Sequence, residues 1–393
     1  MRILFVASVS ASHLAPMVPL AWALRSAGHD VRVACDADTA PGALALGLTV
    51  VRVSTDGDFA RRHRESVRGV PGEPYYRERD ALPRMFADRS LAMLDGLAAL
   101  VDRWRPHAVV HEPVAFAAET VAAARDIPTL RHLWGPDLFG TPPGAWLRHR
   151  VRELVTAEVP DSAGASAREV VIDPCPAPLQ RPGADAVVPV RYVPVDRPGT
   201  VPAWLLEPPR GPRVCVTWGT FADGMPGGHP LMRAMRALPR LGVEVVLVAR
   251  AEDLARQGGL PAGVRAVTGA PLHAVLPSCT AVVHHGGSNT ALGAVVRGLP
   301  QLVVSDTFER DLNAQRLAET GAAVHLEARE AEADPDAVAT AVGRLVDDDR
   351  YARAAAELRG LALTRPSPAR VAGGFEELLT QWPVAGAPIT EGA

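Results

Sequence analysis

Short apolar runs, each followed by a stretch with helical spacing, recur along this chain, stop at a proline-rich segment, and begin again. The first run, RILFVAS from Arg2 to Ser8, is too short for a helix and too uniformly apolar for a half-exposed strand, which fits a strand buried on both faces. Pro16 and Pro19 then sit where a first helical turn tolerates proline, because no hydrogen bond is lost there. Leu20, Ala23, Leu24 and Ala27 follow at helical spacing, and Gly28 stands where a helix ends in a left-handed residue. VRVA (31–34), PGALALG and LTVVRV (48–53) repeat the cycle. A β-α-β-α-β order demands parallel strands joined by right-handed crossovers. A charged, then Gly/Pro-rich stretch from about Thr55 to Asp80 interrupts it, and a loop of that length inside an α/β domain is usually functional or mobile. A helix over 81–104, the strand AVVHE (108–112), a helix over 114–125 and the strand PTLRHL resume the alternation.

RYVPVDRPGTVPAWLLEPPRGP (191–212) reads as an extended linker. After it come RVCVTW, a helical segment HPLMRAMRALPRLG, VEVVLVA, VRAVTG, TAVVHH, the helical TALGAVVRG, PQLVVS and the helical ERDLNAQRLAETG. The expected organisation is therefore an N-terminal domain over 1–200, a linker over 201–212, a C-terminal domain over 213–365, and a helix and tail over 366–393 that return to the first domain. A chain of 393 residues is long enough for two cores. Hydrophobic residues at 48% and a net charge of −3 describe a soluble globular protein with no basic excess for nucleic acid. No run of 18 apolar residues is available to span a bilayer, and the first residues read as a strand rather than a signal peptide, so a cytoplasmic location is expected. Cys35, Cys175, Cys215 and Cys279 are scattered, without C-x-x-C spacing, which favours reduced thiols over disulfides or a metal site.

Two places carry chemistry-bearing residues at the ends of apolar runs. In VVHHGGSNTALGAVVRGLP (282–300), glycines after a strand let backbone approach a ligand, and the following helix start offers unpaired N–H groups and a positive dipole end. That is an anion site, best suited to a diphosphate, although a glycine-rich turn capped by Ser288 or Asn289 has the same pattern. It is neither a Walker loop nor a G-x-G-x-x-G fingerprint. Strand alternation sends one of His284 and His285 into the sheet packing and the other outward. His13 follows the first strand at the sheet edge where open α/β sheets bind ligands; taken alone, such a histidine is more often a structural hydrogen-bonding group than a catalyst.

The segment from Val264 to Leu326, with PLHAVLPSCTAVVHHGGSNTALGAVVRGLPQLVV and DLNAQRLAETGAAVHL, resembles family 1 glycosyltransferases of the GT-B fold, in particular bacterial enzymes that glycosylate antibiotics and other polyketide natural products. SHLAPMVPLAWALRSAGHDV, VVHEP, RHLWGPD, RYVPVDRPGTVPAWL and RVCVTWGT extend the resemblance, in order, along nearly the whole chain. It implies two doubly wound, Rossmann-like α/β domains facing across a cleft. The implied activity is inverting transfer of a deoxysugar from a dTDP-sugar to an apolar aglycone, with no metal or other cofactor. A homodimer stays open.

Carried over by position, the resemblance makes His13 the general base and Glu112 its orienting partner. His285, Gly286, Gly287, Asn289 and Thr290 surround the diphosphate, Gly219 and Thr220 face it from a second loop, and the backbone around Ala270 and Leu272 forms the base pocket. UDP-sugar users of the family commonly carry glutamate where this chain has Gly293; its loss points to a ribose without a 2′-hydroxyl, although small residues there would also serve close packing. Glu309 and Arg310 stand where relatives often have Asp-Gln against the donor sugar. Trp134, Phe59, Tyr75, Met85 and Phe86 are candidates to line an acceptor cleft, and each reads as readily as core. Two rivals share the architecture: a sugar-nucleotide 2-epimerase, and a non-catalytic sugar-nucleotide-binding subunit, against which the intact His13 argues.

Overall fold

A computed structural model describes residues 1–8, 10–55, 57, 81–140, 144–159, 169–181, 187–218, 235–256 and 259–380. Among them are two fully parallel sheets. The first contains β1 (Arg2–Ala7), β2 (Asp30–Cys35), β3 (Val50–Arg52), β4 (Ala108–His111), β5 (Thr129–His132), β6 (Glu169–Asp173) and β7 (Val187–Pro189), in the order β3-β2-β1-β4-β5-β6-β7. The second contains β8 (Arg213–Thr217), β9 (Glu244–Ala249), β10 (Val264–Thr268), β11 (Ala281–His284), β12 (Gln301–Ser305) and β13 (Ala323–Glu327), in the order β10-β9-β8-β11-β12-β13.

The strands are continuous apolar runs because both faces of a parallel sheet are covered. In the second sheet, Val214, Val216, Val245, Leu247, Val283, Leu302 and Val304 pack on Val338 and Val342 of the helix Pro335–Asp347. Cys215, Val246, Val267 and Val282 point the other way, onto Val275, Leu276 and Ala294. In each sheet the chain leaves the first strand to build one side, then crosses back to build the other. Strand order therefore reverses between β1 and β4, and again between β8 and β11. Connections at such a point depart in opposite directions from the carboxyl ends of adjacent strands, which opens a crevice there.

The chain forms two compact units. One comprises Met1–Cys175, Arg181–Arg191 and the chain from Arg365 on; the other comprises Pro176–Gln180 and Tyr192–Thr364. Residues 192–200, assigned by the sequence to the first domain, thus pack with the second unit. In the first unit, the Arg365 guanidinium donates to the Asp173 carbonyl oxygen at 2.6 Å and lies 3.2 Å from its carboxylate. The helix Pro368–Gly373 packs on the helix Val18–Ser26.

Local details differ from the sequence reading where side chains outweigh periodicity. The chain turns helical at Ala11, ahead of Pro16, because the Ser10 hydroxyl accepts from the Ser12 N–H and caps the short helix Ala11–Leu14. The sequence pattern does not predict the helix Gly144–Glu158 or strands β6, β7 and β13. That helix buries Leu147, Val151 and Val155 together with Arg148, whose charge is matched by the buried Glu119 at 2.8 Å. Strand β7 is three residues long and ends in proline, and β13 carries His325 and Glu327, so neither presents an apolar run.

Two glycines inside helices have opposite surroundings. A Cβ on Gly360 would meet nothing within 4 Å, whereas one on Gly96 would fall 2.0 Å from the Val53 carbonyl oxygen. Gly360→Ala is expected to raise stability by about 0.5–1 kcal/mol. Gly96→Ala is expected to lower it by about 1–3 kcal/mol through overpacking. Urea denaturation of both variants checks the pair.

Candidate active site

The first unit brings polar side chains together where its strand order reverses. Strand β4 ends at His111, paired in register with Val6 of β1, and Glu112 follows. The Glu112 side chain has no exposure to solvent. A carboxylate so placed is tolerated only with partners. Oε1 accepts from the Ser8 N–H at 3.0 Å and the Ser8 hydroxyl at 2.9 Å, and Oε2 accepts from the Val114 N–H at 3.2 Å. Oε2 also lies 3.2 Å from Nδ1 of His13. The imidazole of His13 stacks on Trp134, with ring centroids 4.0 Å apart. Trp134 is held in turn by Phe139, edge to face at 6.1 Å, on a loop braced by the buried bidentate pair Arg131–Asp137 at 3.0 and 3.2 Å. A proton on Nδ1, facing the carboxylate, leaves Nε2 as the ring atom able to accept one.

The second unit has its cluster at the corresponding reversal. His284 is fully buried; its Nε2–H donates to Gln301 Oε1 at 2.9 Å, and its Nδ1 accepts from the Gly286 N–H at 3.0 Å. It therefore shapes the turn, as alternation requires of one of the pair. His285 stands nearly perpendicular to it and close to Trp218. Gly286 has φ +92°, and a Cβ there would fall 3.0 Å from Arg310 and from Val303. At Gly287 a Cβ would fall 2.6 Å from Nε2 of His285, so that ring lies over the start of the helix Ser288–Val295. Gly287 is the N-cap and has no side chain to cap with. The helix thus presents the first-turn N–H groups of Ser288, Asn289 and Thr290 with a positive dipole end.

The helix Phe308–Glu319 packs its first turns on this start. Asn313 Nδ2 donates to the Gly286 carbonyl oxygen at 2.8 Å and to Ser288 Oγ at 3.0 Å, while Ser288 Oγ donates to Glu309 at 3.3 Å. Arg310 turns away to pair with Asp306 at 2.5 Å. Behind that turn, Ser305 donates to Asp311 at 2.5 Å and meets His325 Nε2 at 2.6 Å. The carboxylate there takes the serine proton instead of backing the histidine, which is not the order of a nucleophilic triad.

Among the expected residues, the structure unites His13, Glu112 and Trp134 in one cluster, and His285, Gly286, Gly287, Asn289, Thr290 and Glu309 in the other. Ala270 and Leu272 lie beyond β10, packed on the core beside Val275. A Cβ on Gly293 would touch only Leu276, at 3.9 Å, so the helix there is not pressed against a neighbour. Met85 and Phe86 are half-buried on the helix Ala81–Trp104. Phe59, Tyr75, Gly219 and Thr220 lie outside the described residues. Ser8, Gln301, Tyr192 and the Arg131–Asp137 brace were not singled out from the sequence, since their roles come from pairings across the sheet and between loops. Among the described residues, no group of three His, Cys, Asp or Glu side chains is placed to hold a metal ion, and no helix is long and apolar enough to cross a membrane.

Family profiles for the N-terminal and C-terminal domains of erythromycin biosynthesis protein CIII-like proteins match residues 22–219 and 232–378. The chain belongs to this family. It is a glycosyltransferase, and its two parallel α/β sheets are those of the GT-B fold. The enzyme is 33% identical over 415 residues to the 3-alpha-mycarosylerythronolide B desosaminyl transferase of Saccharopolyspora erythraea, across 96% of this chain and 98% of that one. It is 37% identical over 389 residues to the L-demethylnoviosyl transferase of Streptomyces niveus, across 95% and 97%. Among solved structures, the spinosyn rhamnosyltransferase SpnG complexed with thymidine diphosphate superposes with a TM-score of 0.83 at 30% identity, covering 96% of this chain and 100% of that one.

Burial holds His284, and likewise His132 at the end of β5, well below the usual imidazole range, at about 4. Both are neutral in the folded enzyme and take up a proton on unfolding below pH of about 6.5. The unfolded chain then binds more protons between about pH 4 and 6.5, so stability is expected to fall as pH drops through that window. The slope from these two groups is about 1.4 kcal/mol per pH unit for each proton. Urea unfolding measured from pH 5 to 6.5 checks this; a flat profile would contradict the burial of two neutral imidazoles.

Proposed function

We propose that the enzyme transfers a deoxysugar, with inversion, from a dTDP-sugar to a hydroxyl of an apolar polyketide-type aglycone. Nε2 of His13 takes the hydroxyl proton as the acceptor oxygen bonds to the anomeric carbon. The bond from that carbon to the diphosphate oxygen breaks with its electron pair, and dTDP departs. Glu112 keeps the proton on Nδ1 and stabilises the imidazolium that forms. The helix start at Ser288 and the neighbouring His285 stabilise the charge that grows on the leaving diphosphate, a task a metal performs in other architectures. The reading therefore expects a rate insensitive to EDTA.

The observation that carries this reading is the buried Glu112 carboxylate against Nδ1 of His13. A structural histidine does not require an enclosed carboxylate satisfied from three other directions. His13→Ala is expected to lower turnover with an alcohol acceptor by about 10²–10⁴-fold, the usual range for general acid–base catalysis. Titration of dTDP into the same variant should give wild-type affinity. Near-wild-type turnover would remove His13 as the base.

The donor assignment is supported by relatives named for deoxysugar transfer and by a solved neighbour carrying thymidine diphosphate. Gly293 supports it independently. A Cβ there would touch only Leu276, at 3.9 Å, so a close backbone approach does not demand glycine, and a ribose without a 2′-hydroxyl offers a carboxylate little to hold. Gly293→Glu is expected to shift preference from dTDP towards UDP by up to about 1.5–3 kcal/mol, the worth of a charge-assisted hydrogen bond. Calorimetric titration of both nucleotides against both proteins checks it; an unchanged ratio in a folded variant would refute the explanation.

A further inference from the structure

The turn between β11 and the helix Ser288–Val295 is held peptide by peptide. The Gly286 N–H donates to Nδ1 of the buried His284 at 3.0 Å. The Gly286 carbonyl oxygen accepts from Nδ2 of the buried Asn313 at 2.8 Å, and the other hydrogen of that nitrogen goes to Ser288 Oγ at 3.0 Å. A carbonyl oxygen can only accept, so the Asn313 amide has one orientation here, with its nitrogen towards the turn. Beyond the turn, the Tyr192 hydroxyl donates to the Asn289 carbonyl oxygen at 3.2 Å and holds the helix start without Asn313. Among the described residues, the Gly287 N–H donates to no protein group.

We infer that Asn313 is a positioning residue for the donor diphosphate, latching the Gly286–Gly287 peptide with its N–H turned to the anion. A peptide unit is planar and trans, so its C=O and N–H point in opposite directions. Fixing the Gly286 carbonyl oxygen on Asn313 therefore sends the Gly287 N–H away from Asn313. A half turn of this one peptide plane changes only ψ of Gly286 and φ of Gly287 and leaves the flanking chain in place. Gly287 has φ −61°, and the half turn would carry it to a positive φ, which glycine adopts readily and other residues do not. Two glycines in succession thus make this the peptide of the turn most free to flip. The flipped state would put a carbonyl oxygen where an anion needs a donor. Two hydrogen bonds from one buried amide, on either side of Gly287, select the unflipped state. The inference rests on the diphosphate reading of that turn.

The test compares, in the full chain, affinity for dTDP with affinity for thymidine, which lacks the diphosphate and is read by competition. Asn313→Ala is expected to weaken dTDP by about 10-fold, the worth of two lost hydrogen bonds, and to leave thymidine affinity unchanged, a split that a general loss of structure does not produce. Asn313→Asp keeps the side-chain shape, sets an acceptor against the Gly286 carbonyl oxygen, and should weaken dTDP at least as much. The wild-type chain tests the donor itself. With glycine labelled at the carbonyl carbon and amide nitrogen, only the second residue of a Gly-Gly pair joins the two labels, so a carbonyl-filtered NMR spectrum shows the amides of Gly228, Gly259, Gly287 and Gly374. Alanine in turn at Gly227, Gly258 and Gly373 assigns the other three, and the Gly287 signal is expected to shift as dTDP binds. Wild-type dTDP affinity in either folded Asn313 variant, or equal losses for dTDP and thymidine, would overturn the role of Asn313. A Gly287 amide that stays in place while dTDP binds would overturn it too, whether or not the variants fold. A wild-type chain that does not bind dTDP would overturn the diphosphate reading and the inference with it.

Discussion

A carboxylate with no access to water is the constraint around which the first site is arranged. Glu112 stands beyond the end of β4, beside β1, at the position where strand order reverses. Three donors from Ser8 and Val114 and the imidazole of His13 surround it. Taking any of them away would leave buried charge unmatched, a cost of several kcal/mol. The loop after β1 and the turn after β4 therefore take the conformations they do because both must serve one side chain. The second unit meets the same topology with the opposite electrostatics. The turn after β11 holds a neutral buried histidine and leads into a helix whose cap residue has no side chain. In the proposed reading, one reversal supplies the proton acceptor and the other the anion cradle.

Much of this could be read from the residues. The apolar runs located most strands because burial on both faces leaves no other pattern. Of the elements that escaped, β6 offers only the three apolar residues Val170 to Ile172, β7 is too short to show a pattern, β13 carries His325 and Glu327, and the helix Gly144–Glu158 buries an arginine matched by Glu119. His13 could be named from its place after β1, but its orientation depends on Glu112, ninety-nine positions later, and on stacking with Trp134. No local spacing contains that information.

The glycines divide in the same way. Gly286 and Gly287 are dictated by geometry, one by its positive φ and both by neighbours that would collide with a side chain. Gly293 is not, since a Cβ there would meet Leu276 at ordinary contact distance. A glycine without a steric reason inside a helix costs stability, and at Gly293 the proposed donor offers an explanation that packing does not. Arg310 shows the reverse lesson. Its place in the sequence suggested a donor-sugar contact, whereas its guanidinium is committed to Asp306 and its backbone packs over Gly286. Of that pair, Glu309 is the residue that reaches the turn, through Ser288.

The central claim is that Glu112 fixes the tautomer of His13 and so prepares Nε2 to accept a proton. The most direct measurement is the pair of ¹⁵N chemical shifts of the His13 ring, in protein labelled on histidine, at a pH above its titration. Assignment follows by comparison with His13→Gln. The account predicts a protonated, pyrrole-type Nδ1 and an unprotonated, pyridine-type Nε2, with that pattern lost or averaged in Glu112→Gln. A neutral His13 carrying its proton on Nε2 would contradict it, because the ring would then have no lone pair to offer an incoming hydroxyl.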